Sequence, residues 1–282
     1  MQLAEAIQQD KQKRQEVVER SNASDRQGIQ PAVRRAIAVL TPTLGQVSMW
    51  WHTSLTDLVW PMNTGKAFIP AMDLKGGQIG QMRNRLVKMA LDYEAAQGIN
   101  VEYLMWVDDD VIISRLAMLT LAAHDRDIAS GVYFCKGEVG NEPLVFAGPS
   151  SGTLKFRPDE VFEAWGWSLG LSLIRTDVFK RMRDELELGV DEYGSPKWFA
   201  QPDFGVDSSG MMTVGGTEDF VFFGNASKLG YRPLIDCTKH AFGWHYDLGT
   251  KTAYPKVQWE QYVRREPIVW PATKDTPEVV WA

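Results

Sequence analysis

Three consecutive aspartates, Asp108, Asp109 and Asp110, follow directly on an apolar run that begins at Val101. The run has the length and residue types of a buried β-strand. Adjacent carboxylates repel one another and are costly to bury, so they need a compensating positive charge. Hard divalent cations take oxygen ligands and suit that purpose. We therefore predict a metal-assisted site for a phosphorylated substrate, with a solvated acidic turn as the alternative interpretation.

A second acidic pair, Glu218-Asp219, follows two glycines at the predicted start of a helix, and His240 and His245 come after the next strand. Acidic residues are expected at a helix N-terminus because they interact favourably with the helix dipole. A single histidine is more often a structural residue than a ligand. Each feature alone is weak evidence, whereas their order along the chain after the three aspartates is more specific.

The strand predicted over Arg34–Leu40 ends in the polar turn Thr41-Pro42-Thr43. In open α/β sheets, ligands bind outside the carboxyl ends of the strands, so small polar residues here suit contacts with a nucleotide base or ribose. A plain connection from strand to helix is the alternative interpretation of this turn.

Arg83 and Asn84 lie within a helix predicted over Gln78–Tyr93, whose apolar residues recur at helical spacing. Arginine suits a diphosphate because its planar guanidinium binds two oxygens at once. The alternative is an arginine that is simply solvated on the helix surface.

Strands alternate with helices through the first half of the chain, where Leu55–Trp60 is expected to belong to the helix that follows the first strand and its turn. This alternation predicts an α/β fold with a Rossmann-like, mostly parallel central sheet flanked by helices. The second half mixes short strands and loops, which indicates an acceptor-binding half joined to a nucleotide-binding half. We expect a polar helical extension over 1–30, a single domain over 31–250 and a C-terminal extension over 251–282.

The composition is that of an ordinary globular protein, with 282 residues, 44% hydrophobic and 23% charged. A net charge of −6 argues against a general binder of nucleic-acid backbones, so nucleic acid is a less favoured partner. Cys135 and Cys237 have no zinc-site spacing and indicate no disulfide framework, which predicts a reducing, cytoplasmic setting. No apolar run approaches the roughly 18 residues of a membrane span.

The order of these segments resembles the GT-A glycosyltransferases, which use nucleotide-sugar donors, and the family-2-like members in particular. The resemblance covers roughly residues 34–250 and rests most strongly on the DxD and xED motifs. The segments that carry it are AIAVLTPTLG, QMRNRLVKMAL, YLMWVDDDV, DIASGVYF, WGWSLGLSLIRTDVF and GGTEDFVFFGNASKLGYRPLIDC. The fold implied is a GT-A-type sheet within 31–250.

The resemblance also implies roles for the acidic motifs. By the DxD motif, Asp110 would ligate Mn²⁺ or Mg²⁺, and Asp108 would contact the donor ribose or the metal. The role of Asp109 stays open between assisting and structural. The family's third metal contact is a histidine, for which His245 is preferred and His240 is the alternative, because neither has the usual spacing.

By the xED motif, Asp219 would take the proton from the acceptor hydroxyl in an inverting enzyme, and Glu218 would bind or orient the acceptor. Arg83 would steady the diphosphate. Donor contacts are expected at Thr41, Pro42, Thr43, Arg83, Asn84, Asp108 and Asp109, and acceptor-side contacts at Trp167 and Gly170.

The resulting hypothesis is a metal-dependent glycosyltransferase that moves a sugar from a nucleotide-sugar, with UDP-sugar favoured, to a hydroxyl of a glycan, protein or small molecule. Retention or inversion stays open. One alternative is a nucleotidyltransferase, which usually has a basic loop after its first strand, whereas Thr41–Gly45 has no basic residue. The other is a non-catalytic sugar-binding or assembly protein. The N-terminal helix and the Trp-rich tail are candidate contacts for a homo-oligomer.

Overall fold

The computed structural model describes residues 35–43, 45–62, 64–67, 72–73, 78–136, 142–148, 154, 156–157, 159–200, 205–206, 212–213 and 217–255. The expected extension over 1–30 lies outside the described residues, as does the expected extension over 251–282 beyond residue 255. The domain boundaries therefore stay predictions.

The described helices are α1 (Met49–Thr56), α2 (Ile79–Gln97), α3 (Ala117–Ala123), α4 (Thr176–Glu185) and α5 (Glu218–Lys228). The described strands are β1 (Arg35–Leu40), β2 (Pro42–Thr43), β3 (Gly65–Ala67), β4 (Met72–Asp73), β5 (Asn100–Val107), β6 (Val111–Ile112), β7 (Ile128–Ser130), β8 (Val161–Glu163), β9 (Leu171–Arg175), β10 (Gly205–Val206), β11 (Met212–Thr213), β12 (Leu234–Asp236), β13 (Trp244–Asp247) and β14 (Thr252–Tyr254). None of these helices has the length and apolarity needed to cross a membrane.

The central sheet has seven strands in the order β3-β1-β5-β9-β7-β12-β8. Strand β1 is parallel to β3 and β5, and β7 is parallel to β12. Strand β9 lies antiparallel between β5 and β7, and β8 is antiparallel at the edge. Within this seven-stranded sheet, every strand except β8 and β9 therefore points the same way, which confirms the predicted α/β fold with a mostly parallel sheet.

From Tyr103 onwards strand β5 is buried on both faces, which explains why this part of its sequence is a continuous apolar run rather than an alternating one. Leu104 and Trp106 pack into the core on one side, and Met105 and Val107 pack into the core on the other. Each of these four side chains is 0% exposed. The strand that leads into the three aspartates is consequently held rigidly from both sides.

The first helix lies earlier in the chain than predicted: of the segment Leu55–Trp60 only Leu55 and Thr56 belong to it, and residues 57–60 follow its end. Helix α1 begins at Met49 because the Ser48 hydroxyl accepts a hydrogen bond from the Trp51 amide at 3.0 Å, which caps the helix. Helix α2 continues past Tyr93 to Gln97 and ends at Gly98, whose φ of 61° is the left-handed conformation that glycine adopts readily.

Candidate functional site

The three aspartates lie at the carboxyl end of β5, where β9 and β13 also converge. Because β9 runs antiparallel to β5, the residue just before it, Gly170, meets Asp108, and the Asp108 amide donates to the Gly170 carbonyl at 3.1 Å. A side chain on Gly170 would place its Cβ only 2.3 Å from Asp108 Oδ2. Glycine is therefore required for the close approach of this turn to Asp108.

Arg83 joins the acidic end of β5 to the start of α5. Its guanidinium contacts Asp108 through Nη1 to Oδ1 at 3.0 Å and Nη2 to Oδ2 at 3.1 Å. Its Nε lies 3.4 Å from Glu218 Oε1 and 3.6 Å from Asp219 Oδ1. Burial alone would lower the pKa of Arg83, but the three carboxylates raise it above its ordinary value, so the guanidinium stays charged.

Asp219 has the electrostatics of a proton acceptor. Burial, assisted by the nearby charges of Glu218 and Asp108, raises the pKa of Asp219 to about 8, although Arg83 opposes the shift. The side chain is still 23% exposed, so a ligand can reach it. Its buried Oδ1 makes no hydrogen bond within the described part of the chain. A carboxylate with a pKa near neutrality suits general base catalysis.

Asp110 is held by two other side chains. Its Oδ2 lies 3.2 Å from His245 Nε2 and also contacts the Lys136 ammonium. Burial would raise the pKa of Asp110, but His245 and Lys136 outweigh that effect and lower it to about 2. The antiparallel pairing of β13 with β6 sets His245 opposite Val111, directly after Asp110.

Asp110 and His245 fit a divalent cation in part. His245 Nδ1 lies 2.8 Å from the Phe134 carbonyl, which only accepts, so Nδ1 carries the proton and a neutral ring has its lone pair on Nε2. Metal-binding histidines are commonly oriented by such a bond. Both Asp108 oxygens contact Arg83. In the described residues no cluster of three or more potential ligands is present, so water and phosphate oxygens would have to complete the coordination of a metal.

His240 lies elsewhere, as an exposed residue of the helical turn Lys239–Ala241. Its Nδ1 is 3.4 Å from the Ser114 hydroxyl. The structure therefore brings His245, and not His240, into contact with Asp110.

Two cavities flank this group. The first, termed the acidic cavity, has a volume of about 380 Å³ and is lined by Pro42, Thr43, Ile79, Met82, Asp108, Asp109, Asp110, Tyr133 and His245. The second, termed the tryptophan cleft, has a volume of about 460 Å³ and is lined by Val39, Thr41, Trp51, His52, Leu55, Thr56, Leu58, Trp60, Lys66 and Ala67. The Trp51 indole donates to the Asp108 carbonyl at 2.7 Å, so this side chain connects the two cavities. A cavity of about 520 Å³ beside β8 contains none of the predicted site residues.

Sequence reasoning missed two side chains in this region, Tyr133 and Lys136. The Tyr133 hydroxyl accepts a hydrogen bond from the Gly170 amide at 3.2 Å, and its ring contacts His245 edge to face. Burial and the charges of Asp108 and Asp219 raise the pKa of Tyr133 well above its ordinary value, so the phenol stays protonated. Both residues follow β7, and the rule that the carboxyl ends of parallel strands meet at one sheet edge would have found them.

Trp167 and Asn84 are deeply buried, 1% exposed each. The Trp167 ring packs on Phe223 of α5 with ring centroids 4.1 Å apart. The Asn84 amide makes two hydrogen bonds of 2.9 Å to the backbone of Phe199, one to its carbonyl and one from its N–H. Asn84 therefore holds the backbone at Phe199, in the segment after α4, against helix α2 next to Arg83.

The Asn84→Ala variant should lose about 2–3 kcal/mol of unfolding free energy, because the Phe199 N–H and carbonyl would be left buried without partners. Urea denaturation measures this loss. Lys88→Ala, on the same helix but with a side chain 39% exposed, is the control and should change stability by less than about 0.5 kcal/mol. Equal effects of the two substitutions would contradict the anchoring role.

Comparisons with solved structures find distant likenesses. No family profile and no curated protein matches the chain. The crystal structure of A197 from STIV is 13% identical over 79% of this chain and 94% of that chain, with a TM-score of 0.47. TarS 1-349 from S. aureus in complex with UDP-GlcNAc is 14% identical over 72% of this chain and 55% of that chain, with a TM-score of 0.38. The chain thus spans little more than half of that TarS fragment.

Proposed function

We propose that this protein is a glycosyltransferase that moves a sugar from a nucleoside-diphosphate donor, with UDP-sugar favoured, to an acceptor hydroxyl. The observation that carries the proposal is the contact of Arg83 with both Asp108 and Asp219. One guanidinium thereby fixes the distance between the acidic end of β5 and a carboxylate whose pKa is about 8. A group-transfer site needs this combination of a charged donor site and a base.

In this proposal each of the two cavities binds a different part of the donor. The tryptophan cleft offers flat apolar surfaces and the Thr41 hydroxyl to a nucleobase. The acidic cavity receives the ribose and diphosphate beside Thr43 and the aspartates. Asp108 is held rigidly by Arg83 and is the side chain we assign to the ribose.

The chemical step is a single displacement at the sugar. The acceptor oxygen attacks the anomeric carbon, its proton passes to the Asp219 carboxylate, and the bond from sugar to diphosphate breaks. The electron pair of that bond leaves with the diphosphate. A displacement of this kind inverts the anomeric configuration. Glu218, which contacts the same Arg83 Nε, orients Asp219 through the shared guanidinium.

Mn²⁺ or Mg²⁺ would be held by Asp110 and His245 and would neutralise charge that develops on the diphosphate. The support for this assignment is the Nε2 lone pair of His245 beside the Asp110 carboxylate. Asp108 is not assigned to the metal, because both of its oxygens contact Arg83.

Thermal unfolding in the presence of Mn²⁺, UDP and both together tests the proposed function. We expect UDP alone to stabilise the protein weakly, and UDP together with Mn²⁺ to stabilise it by about 2.7 kcal/mol when the ligand is at 100 times its Kd. Asp110→Ala should abolish the additional stabilisation that Mn²⁺ gives, whereas Asp92→Ala, which removes a 64% exposed carboxylate on α2, should leave it unchanged. Failure of UDP, GDP and ADP to stabilise the protein with either metal would contradict the proposal.

A further inference from the structure

The acidic cavity presents an electrostatic difficulty for the proposed donor. Asp108, Asp109 and Asp110 line the cavity into which a doubly charged diphosphate has to enter. Arg83 does not relieve the repulsion, because it is 2% exposed and its nitrogens contact Asp108, Glu218 and Asp219. A buried guanidinium with three carboxylate partners has little to offer an incoming phosphate. Positive charge for the diphosphate, beyond that of the proposed metal, therefore has to come from a side chain other than Arg83.

Lys136, unlike Arg83, is partly exposed and has a single carboxylate contact described above, with Asp110. Its ammonium contacts Asp110 Oδ2, the same oxygen that lies 3.2 Å from His245 Nε2. Its side chain is 30% exposed and contacts Asp110, which lines the acidic cavity. An ammonium carries three donors, and the contact with Asp110 occupies only one of them. The flexible four-carbon stem allows the charge to move by several ångströms without backbone change.

We infer that Lys136 binds the diphosphate of the donor: its ammonium neutralises Asp110 before donor and metal arrive, then leaves Asp110 to the metal and donates to phosphate oxygens. This inference rests on the proposed function, because it concerns the same donor. Lysine is an effective point-charge ligand for phosphate, and hydrogen bonds from charged donors are about twice as strong as neutral ones. The ammonium would also stabilise the diphosphate as the sugar leaves it.

Lys136→Met tests the inference because methionine keeps the length of the side chain and removes the charge. Kd values are measured by calorimetry for UDP and for uridine, which lacks phosphate. We expect UDP binding to weaken about tenfold or more and uridine binding to stay unchanged. Lys180→Met is the matched control, because Lys180 is similarly exposed, at 29%, and is also paired with a carboxylate. Its Nζ, on α4, lies 2.7 Å from Glu94 Oε1, on α2.

A second comparison separates binding of phosphate from neutralisation of Asp110. In EDTA, Asp110→Asn is compared with the double variant Asp110→Asn/Lys136→Met. If Lys136 contacts phosphate, the double variant binds UDP several-fold more weakly than Asp110→Asn alone.

Equal UDP affinity of these two variants would overturn the inference, since Lys136 would then act only on Asp110. Equal loss of UDP and uridine affinity in Lys136→Met would also overturn it, because the effect would then be one of fold. Absence of nucleotide binding to the unsubstituted protein is a different outcome, which contradicts the proposed function itself.

Discussion

Asp219→Asn is expected to lower the rate of sugar transfer by about 10²- to 10⁴-fold while UDP binding changes little. The asparagine amide cannot take the acceptor proton, yet it has the shape of the carboxylate beside Arg83 and Glu218. Transfer or hydrolysis of a UDP-sugar is measured together with the Kd of UDP. A non-catalytic sugar-binding protein would show no transfer either before or after the substitution, so the same measurement separates it from an enzyme.

Asp177→Asn is the matched control for this experiment. Asp177 is the second residue of α4, as Asp219 is of α5, so both substitutions remove a carboxylate from the first turn of a helix. Asp177 is 75% exposed and belongs to no cavity described above. If the two variants lose activity equally, the loss reflects helix stability and the assignment of Asp219 as base is wrong.

The same assignment predicts the pH dependence of transfer. Because the pKa of Asp219 is raised to about 8, the carboxyl is mostly protonated at pH 7 and cannot accept a proton. The value of kcat/KM should rise about tenfold for each pH unit below 8 and level off above it. A profile that is flat between pH 6 and pH 8 would contradict the role of Asp219.

Arg83→Met should destabilise the protein by about 3–5 kcal/mol, the largest loss of stability that we expect from a single substitution in the site. The guanidinium is buried and contacts Asp108, Glu218 and Asp219, so its removal leaves the negative charge of this group of carboxyls without its cation. Urea denaturation at neutral pH measures the change in unfolding free energy.

The neighbouring Arg85→Met serves as the control for Arg83→Met. Arg85 lies on the same helix, is only partly buried, and places its guanidinium 4.3 Å from the centre of the Tyr193 ring. Loss of that exposed contact should cost about 0.5–1 kcal/mol. A cost of less than about 1 kcal/mol for Arg83→Met would mean that the three carboxylates do not depend on Arg83.

The sequence alone determined the local parts of the site. A mainly apolar run predicted the buried strand β5, and the acids at its end were therefore assigned to the ligand-binding edge of the sheet, where Asp108, Asp109 and Asp110 line a cavity. Glycines followed by Glu218-Asp219 predicted the start of a helix, which is where α5 begins. These predictions succeeded because strand burial and helix starts depend on residues close together in the chain.

Only the tertiary structure decided which of these residues meet. Arg83 contacts Glu218 across 135 positions of sequence, and this contact depends on how α2 and α5 pack rather than on any local pattern. The choice of His245 over His240 depends on the pairing of β13 with β6, and the approach of Gly170 to Asp108 depends on the antiparallel insertion of β9. The contact of Lys136 with Asp110 likewise depends on the place of β7 in the sheet, because Lys136 follows that strand. Such contacts are set by strand order and direction, which the spacing of residues along the chain does not encode.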